Sequence, residues 1–158
     1  GGREGKGENI TITGGTVTAT GGSDGAGIGG GANGTGEVII GGKAQVKATG
    51  SAEHHGSWEN NGAGAAIGDG GTTAGSSGSV QNGENKFTTD EKSIQNGAKV
   101  EMTLPSLSSM RVTNNGATRI PLLAKAVYAL TISPTEISQG PRQSETTGSI
   151  ALLRTPKL

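Results

Sequence analysis

Three short blocks of this chain occur twice in the same order, and that repetition constrains its fold more than any other feature. The first set reads Ile10-Thr11-Ile12-Thr13-Gly14-Gly15, Thr16-Val17-Thr18-Ala19-Thr20 and Gly25-Ala26-Gly27-Ile28-Gly29-Gly30-Gly31. The second reads Val38-Ile39-Ile40-Gly41-Gly42, Val46-Lys47-Ala48-Thr49-Gly50 and Gly64-Ala65-Ala66-Ile67-Gly68-Asp69-Gly70. Ile10 and Val38 stand 28 residues apart, Val17 and Val46 29, and Ile28 and Ile67 39. One residue therefore enters at a turn around Gln45, and ten more enter between Gly50 and Gly64.

Within each block the aliphatic residues alternate with threonine, so a strand puts Ile10, Ile12, Val17 and Ala19 on one face. Threonines 11, 13, 16, 18 and 20 take the other. Gly-Gly and Gly-Ser-Asp-Gly junctions suit the corners, because they tolerate positive φ. Glycine and β-branched residues disfavour helix throughout. The expected fold is all-β: a short, glycine-rich parallel β-solenoid of about 28 residues per rung. Its stacked rungs bury Ile10 over Val38, Val17 over Val46 and Ile28 over Ile67. Small residues such as Ala19, Ala26, Ala48 and Ala65 fit a narrow interior. That accounts for a chain of 158 residues with 31 glycines and only three aromatics, Trp58, Phe87 and Tyr128. Flexible Gly/Ser-rich disorder is the competing reading, and the registered alternation argues against it.

Composition changes near Gly83. Residues 1–83 hold 27 of the glycines and no proline, with net charge −3; residues 84–158 hold all five prolines, with net charge +3. The expected organisation is solenoid rungs over 1–83, then a non-repetitive, proline-containing β-rich segment over 84–158 acting as cap, linker or strand-exchange tail. Ser79-Val80-Gln81-Asn82-Gly83 and Lys86-Phe87-Thr88-Thr89 read as a degraded third rung, with Phe87 capping the interior. The stretches 98–104 and 110–113 alternate like strands; over 122–130 helix competes, and the continuation Thr131-Ile132-Ser133-Pro134 favours strand.

The strings ITITGGTVTATGG and GAGIGGG resemble the glycine-rich repeats of large surface proteins of gut-type Gram-positive bacteria, often described as carbohydrate-binding-domain proteins. The resemblance spans about residues 8–75 and implies right-handed parallel β-helices. It further implies an extracellular or cell-surface location and carbohydrate binding. The motifs specify a rung rather than a ligand, and this chain departs from the pattern in its few rungs and its ten-residue insertion.

That insertion carries the candidate ligand-binding residues: Glu53, His54, His55, Trp58, Glu59, Asn60 and Asn61. Loops that interrupt a regular solenoid are where binding sites accumulate. An indole supplies an apolar face for sugar C–H groups, and the Glu and Asn side chains supply partners for hydroxyls. The plainer alternative is a solvated loop whose Trp58 folds down over a corner. No metal site is expected, because adjacent histidines on an extended chain point to opposite sides. No cofactor is expected either; Asp24 and Asp69 read as turn-capping residues at corners, with calcium there as the alternative. No catalytic residues are assigned, since the regular face carries threonines rather than carboxylates. The Gly25-Ala26-Gly27-Ile28-Gly29-Gly30 run matches a dinucleotide fingerprint only formally, because it opens no helix.

Thirteen basic and thirteen acidic residues cancel, which argues against nucleic acid as a partner. No run of about 20 apolar residues exists to span a membrane as a helix. There is no cysteine. The start at Gly1-Gly2, without Met or a signal peptide, reads as a fragment or processed chain. The leading expectation is a non-catalytic extracellular module for adhesion or carbohydrate binding, with a glycan or surface polymer as partner. The second is a self-associating spacer or filament subunit, a homo-oligomer joined through strand edges or strand addition. A third is an ice-binding-like threonine face, which Ile39 and Lys47 interrupt in the second rung.

Overall fold

The structure is a computed structural model that describes residues 2–94, 98–106, 108–114, 117–118, 122–124, 127–133 and 149–155. All regular structure among the described residues is β; there is no helix. The chain passes three times through the same two layers. The first pass supplies β1 (Gly7–Ile12), β2 (Thr16–Thr20) and the two-residue β3 (Ile28–Gly29). The second supplies β4 (Gly36–Gly42), β5 (Gln45–Thr49), β6 (His54–His55), β7 (Glu59–Asn61), β8 (Ile67–Gly68) and β9 (Thr73–Gly75). The third supplies β10 (Asn85–Ile94) and β11 (Lys99–Thr103).

One layer pairs β1, β4 and β10 in parallel, with Ile10 beside Val38, Ile12 beside Ile40 and Ile40 beside Thr89. The other pairs β2, β5 and β11 in parallel, with Val17 beside Val46 and Val46 beside Val100. Ile28 sits beside Ile67 where β3 meets β8. The sequence offsets are thus the strand registers. The extra residue of the second pass precedes Gln45, which already pairs with Thr16. It lies in the turn where Ala44 N–H donates to Gly41 O.

Alternation along β5 buries Val46 and Ala48 and exposes Lys47; β11 repeats this with Val100 and Met102. The core they share includes Val38, Ile40, Ile67 and Phe87, and Ile10, Ile12, Val17 and Ala19 pack on it while only partly buried. Those four belong to the first pass, whose strands β1 and β2 end their sheets among the described residues. Gly29 and Gly68 close the repeated Ile-Gly corner at φ of 134° and 137°, a conformation side chains rarely adopt.

The composition break at Gly83 does not interrupt the pairing, since β10 and β11 lie beyond it. β12 (Ser108–Asn114) continues the first layer in parallel against β10, with Val112 beside Phe87. Phe87, buried to 3% exposure, is therefore an interior residue with a further strand outside it, not a terminal plug. Residues 79–83 form no strand. Pairing then becomes antiparallel. β13 (Ala117–Thr118) and β14 (Leu122–Ala124) pair with β12; β15 (Val127–Ser133) pairs with β11, and β16 (Ser149–Thr155) with β15. The prolines from Pro121 onward lie outside the described residues.

Candidate functional site

The ten-residue insertion forms two strands of a small antiparallel sheet whose third strand, β9, comes from beyond it. β6 pairs with β7, placing His54 beside Asn61 and His55 beside Asn60; β7 pairs with β9, placing Asn60 beside Ala74 and Glu59 beside Gly75. Gly56 N–H donates to Glu59 O and closes the turn that carries Ser57 and Trp58.

Trp58 stands on that turn at 91% exposure, the one exposed large apolar side chain among the described residues. Its candidate partners divide into three groups. Glu53 and His55 hold each other, with Oε1 and Nε2 2.6 Å apart, and Asn82 Nδ2 donates to the other Glu53 oxygen at 3.2 Å. The hydrogen bond from His55, then that from Asn82, keeps the Glu53 carboxyl below its usual range. Asn60 and Asn61 are buried and serve the hairpin. Asn60 Nδ2 donates to the carbonyls of Ser76 and Gly78, each at 3.0 Å, which ties β7 to the turn after β9. Asn61 Nδ2 reaches Glu59 Oε1 at 3.4 Å, while its Oδ1 is buried without a partner. Glu59 and His54 form the third group and act electrostatically on Asp24.

Asp24 occupies the Gly22–Gly25 corner at φ 61°, a left-handed conformation that Asp and Asn tolerate better than other side chains. It is 7% exposed. Its Oδ2 accepts a hydrogen bond from Thr73 Oγ1 at 3.2 Å, and its backbone carbonyl accepts Gly71 N–H. Burial raises the Asp24 carboxyl above its usual range; the Thr73 bond opposes the shift, Glu59 adds to it, and Arg3 and His54 oppose it. Around this carboxylate lies a cavity of about 340 Å³, lined by Arg3, Thr20, Asp24, Glu59, Thr73 and the glycine-rich corner. Trp58 does not line it; its neighbour Glu59 does.

The seven insertion residues therefore do not converge on one point. The structure brings Glu59 into a polar cavity, leaves Trp58 on the surface, and uses Asn60 and Asn61 as fastenings. Arg3 and Thr73 carry no sequence signal as site residues, and Asp24 is legible in the sequence as a turn-capping corner with calcium as the alternative. Asp in a Gly-Ser-Asp-Gly corner was the one visible signal. Asp69, its companion in the calcium reading, is occupied: Oδ1 accepts Gly36 N–H at 2.8 Å and pairs with Lys86 Nζ at 2.9 Å. No group of three His, Asp or Glu side chains placed to hold a metal ion occurs among the described residues. Compared with known proteins, the chain matches no protein family, no curated relative and no solved structure.

Proposed function

We propose that this chain is a parallel β-solenoid module that binds carbohydrate without catalysis, on a cell surface or outside the cell. The repeated parallel registers of β1–β4–β10 and β2–β5–β11 support a solenoid coil. A right-handed coil is the hand that parallel crossover connections adopt. The observation that carries the binding reading is the exposure of Trp58. Leaving an indole in water forgoes about 2 kcal/mol of burial, and this chain uses its only tryptophan that way. A hairpin turn closed by the Gly56–Glu59 hydrogen bond presents it, with the Glu53–His55 pair and Glu59 close in sequence to receive hydroxyls. Glycan-array binding and affinity electrophoresis, comparing the native chain with Trp58→Ala, test this. Loss of binding with unchanged unfolding is the expected result; binding that survives Trp58→Ala refutes the site.

Self-association is the second reading, and the first pass favours it. β1 and β2 are sheet edges, and Ile10, Ile12, Val17 and Ala19 are only partly buried, whereas Val38, Ile40, Val46 and Ala48 beside them are fully covered. Sedimentation across a wide concentration range separates a monomer from an edge-paired assembly. The threonine face gains nothing comparable, because Thr18 is followed along the stack by Lys47 and Glu101, whose charged groups pair at 3.5 Å.

A further inference from the structure

We propose that the cavity between the Gly22–Gly25 corner and the hairpin is a subsite for a hexosamine residue with a free amine, whose ammonium sits between Asp24 and Glu59. This rests on the carbohydrate-binding reading and names the sugar class.

The cavity, about 340 Å³, has the volume of a small-ligand site. Its walls carry two carboxylates, Asp24 and Glu59, against one guanidinium, Arg3, so its fixed charge complements a cation. Asp24 is more than nine-tenths buried, and only one of its oxygens is used. Oδ2 accepts the Thr73 hydroxyl, while Oδ1 accepts no hydrogen bond from any described residue. A buried carboxylate with a free oxygen facing a cavity calls for a charged donor. Arg3 lines the same cavity without forming an ion pair with a described acid. The ammonium of an amino sugar supplies three donors on a compact centre, enough for Asp24 Oδ1 and a Glu59 oxygen together.

The remaining wall suits the rest of such a ring. Thr20 and Thr73 bring hydroxyls, and the Gly22–Gly27 segment brings backbone groups that no bulky side chain covers. A neutral hexose makes those contacts but brings no charged donor to the free Asp24 oxygen. An N-acetylated hexosamine replaces the ammonium by an amide that offers a single N–H.

Calorimetric titration with glucosamine trimer, N-acetylglucosamine trimer and a neutral glucose trimer tests the assignment, using the native chain, Asp24→Asn and Trp58→Ala. Asn keeps a hydrogen-bonding side chain at a left-handed position, so Asp24→Asn folds, and its unfolding transition verifies this. The expected result is at least tenfold tighter binding of the free-amine trimer than of the other two, with that preference lost in Asp24→Asn. Equal binding of all three trimers, weakened by Trp58→Ala, overturns the ammonium subsite and leaves the carbohydrate reading intact. Amine preference that persists in folded Asp24→Asn overturns the placement at Asp24. Binding of none of the three overturns both readings.

Discussion

Asn85 Oδ1 accepts the backbone N–H of Ala66 at 2.6 Å, and both residues are fully buried. The bond joins the last block of the second pass to the first strand of the third. It satisfies a backbone donor at the corner before β8, where no strand ladder does so. Asn85→Ala leaves that donor unpaired in the interior and lowers unfolding free energy by about 1–3 kcal/mol. Urea denaturation followed by circular dichroism measures the loss; an unchanged midpoint would show that the third pass is not coupled to the second through Asn85.

Ile40 and Ile12 are neighbours in register, yet one is fully covered and the other lies on the outermost pass. Ile40→Ala opens a cavity between two layers and costs about 2–5 kcal/mol. Ile12→Ala removes a side chain that solvent already reaches and costs roughly half as much or less. Denaturant titration of the two variants gives the comparison, and equal losses would mean that the first pass is covered in solution.

Glycine positions separate in the same way. Gly68 has φ 137°, and a Cβ there would collide with the carbonyl oxygen of Glu84. Gly14 has open space around it. Gly68→Ala is expected to prevent folding or to lower the thermal midpoint sharply, and Gly14→Ala to change stability by about 0.5 kcal/mol or less. Thermal unfolding monitored by far-UV circular dichroism distinguishes them.

Asp24 makes stability depend on pH. Because burial raises its carboxyl in the folded chain, the folded state holds the proton to higher pH than the unfolded state does. The resulting stabilisation is present below the unfolded value, about pH 4, and disappears as pH rises through the higher folded value. At neutral pH an ionised, buried Asp24 is a net cost. Asp24→Asn should therefore raise the thermal midpoint at pH 7 and give no such gain at pH 3. A gain of equal size at both pH values would exclude the charge as its cause.

Trp58→Ala should leave stability within about 0.5 kcal/mol of the native chain, since the indole touches little besides solvent. Tryptophan fluorescence supplies an independent check: emission of the native chain should lie near that of free indole in water and should shift to shorter wavelength on glycan binding. A blue-shifted emission without ligand would place the indole in a packed setting.

Part of the architecture was legible because identical physics recurs at a fixed spacing. Ile10 and Val38, Val17 and Val46, and Ile28 and Ile67 each satisfy the same alternation, so aligning the blocks also aligns the strands. The Ile-Gly pair recurs because its corner demands the same backbone at Gly29 and Gly68. The third pass was only half legible. Asn85–Thr89 and Lys99–Thr103 share the alternation but not the glycine corners, so the composition break concealed their continuity with residues 1–83.

Sequence alone determined which aliphatic residues of the repeated blocks face inward and which offsets bring their strands together. These follow from side-chain period and volume, which are local properties. Tertiary structure decided that β9 completes the insertion's sheet, that Asn60 and Asn61 turn inward, and that β15 and β16 close the stack antiparallel. It also decided that Arg3, Asp24, Glu59 and Thr73 meet around one cavity. Loops of different length bring those four together, and no period runs through them. Their convergence depends on where each chain turn ends in space, which side-chain alternation does not encode.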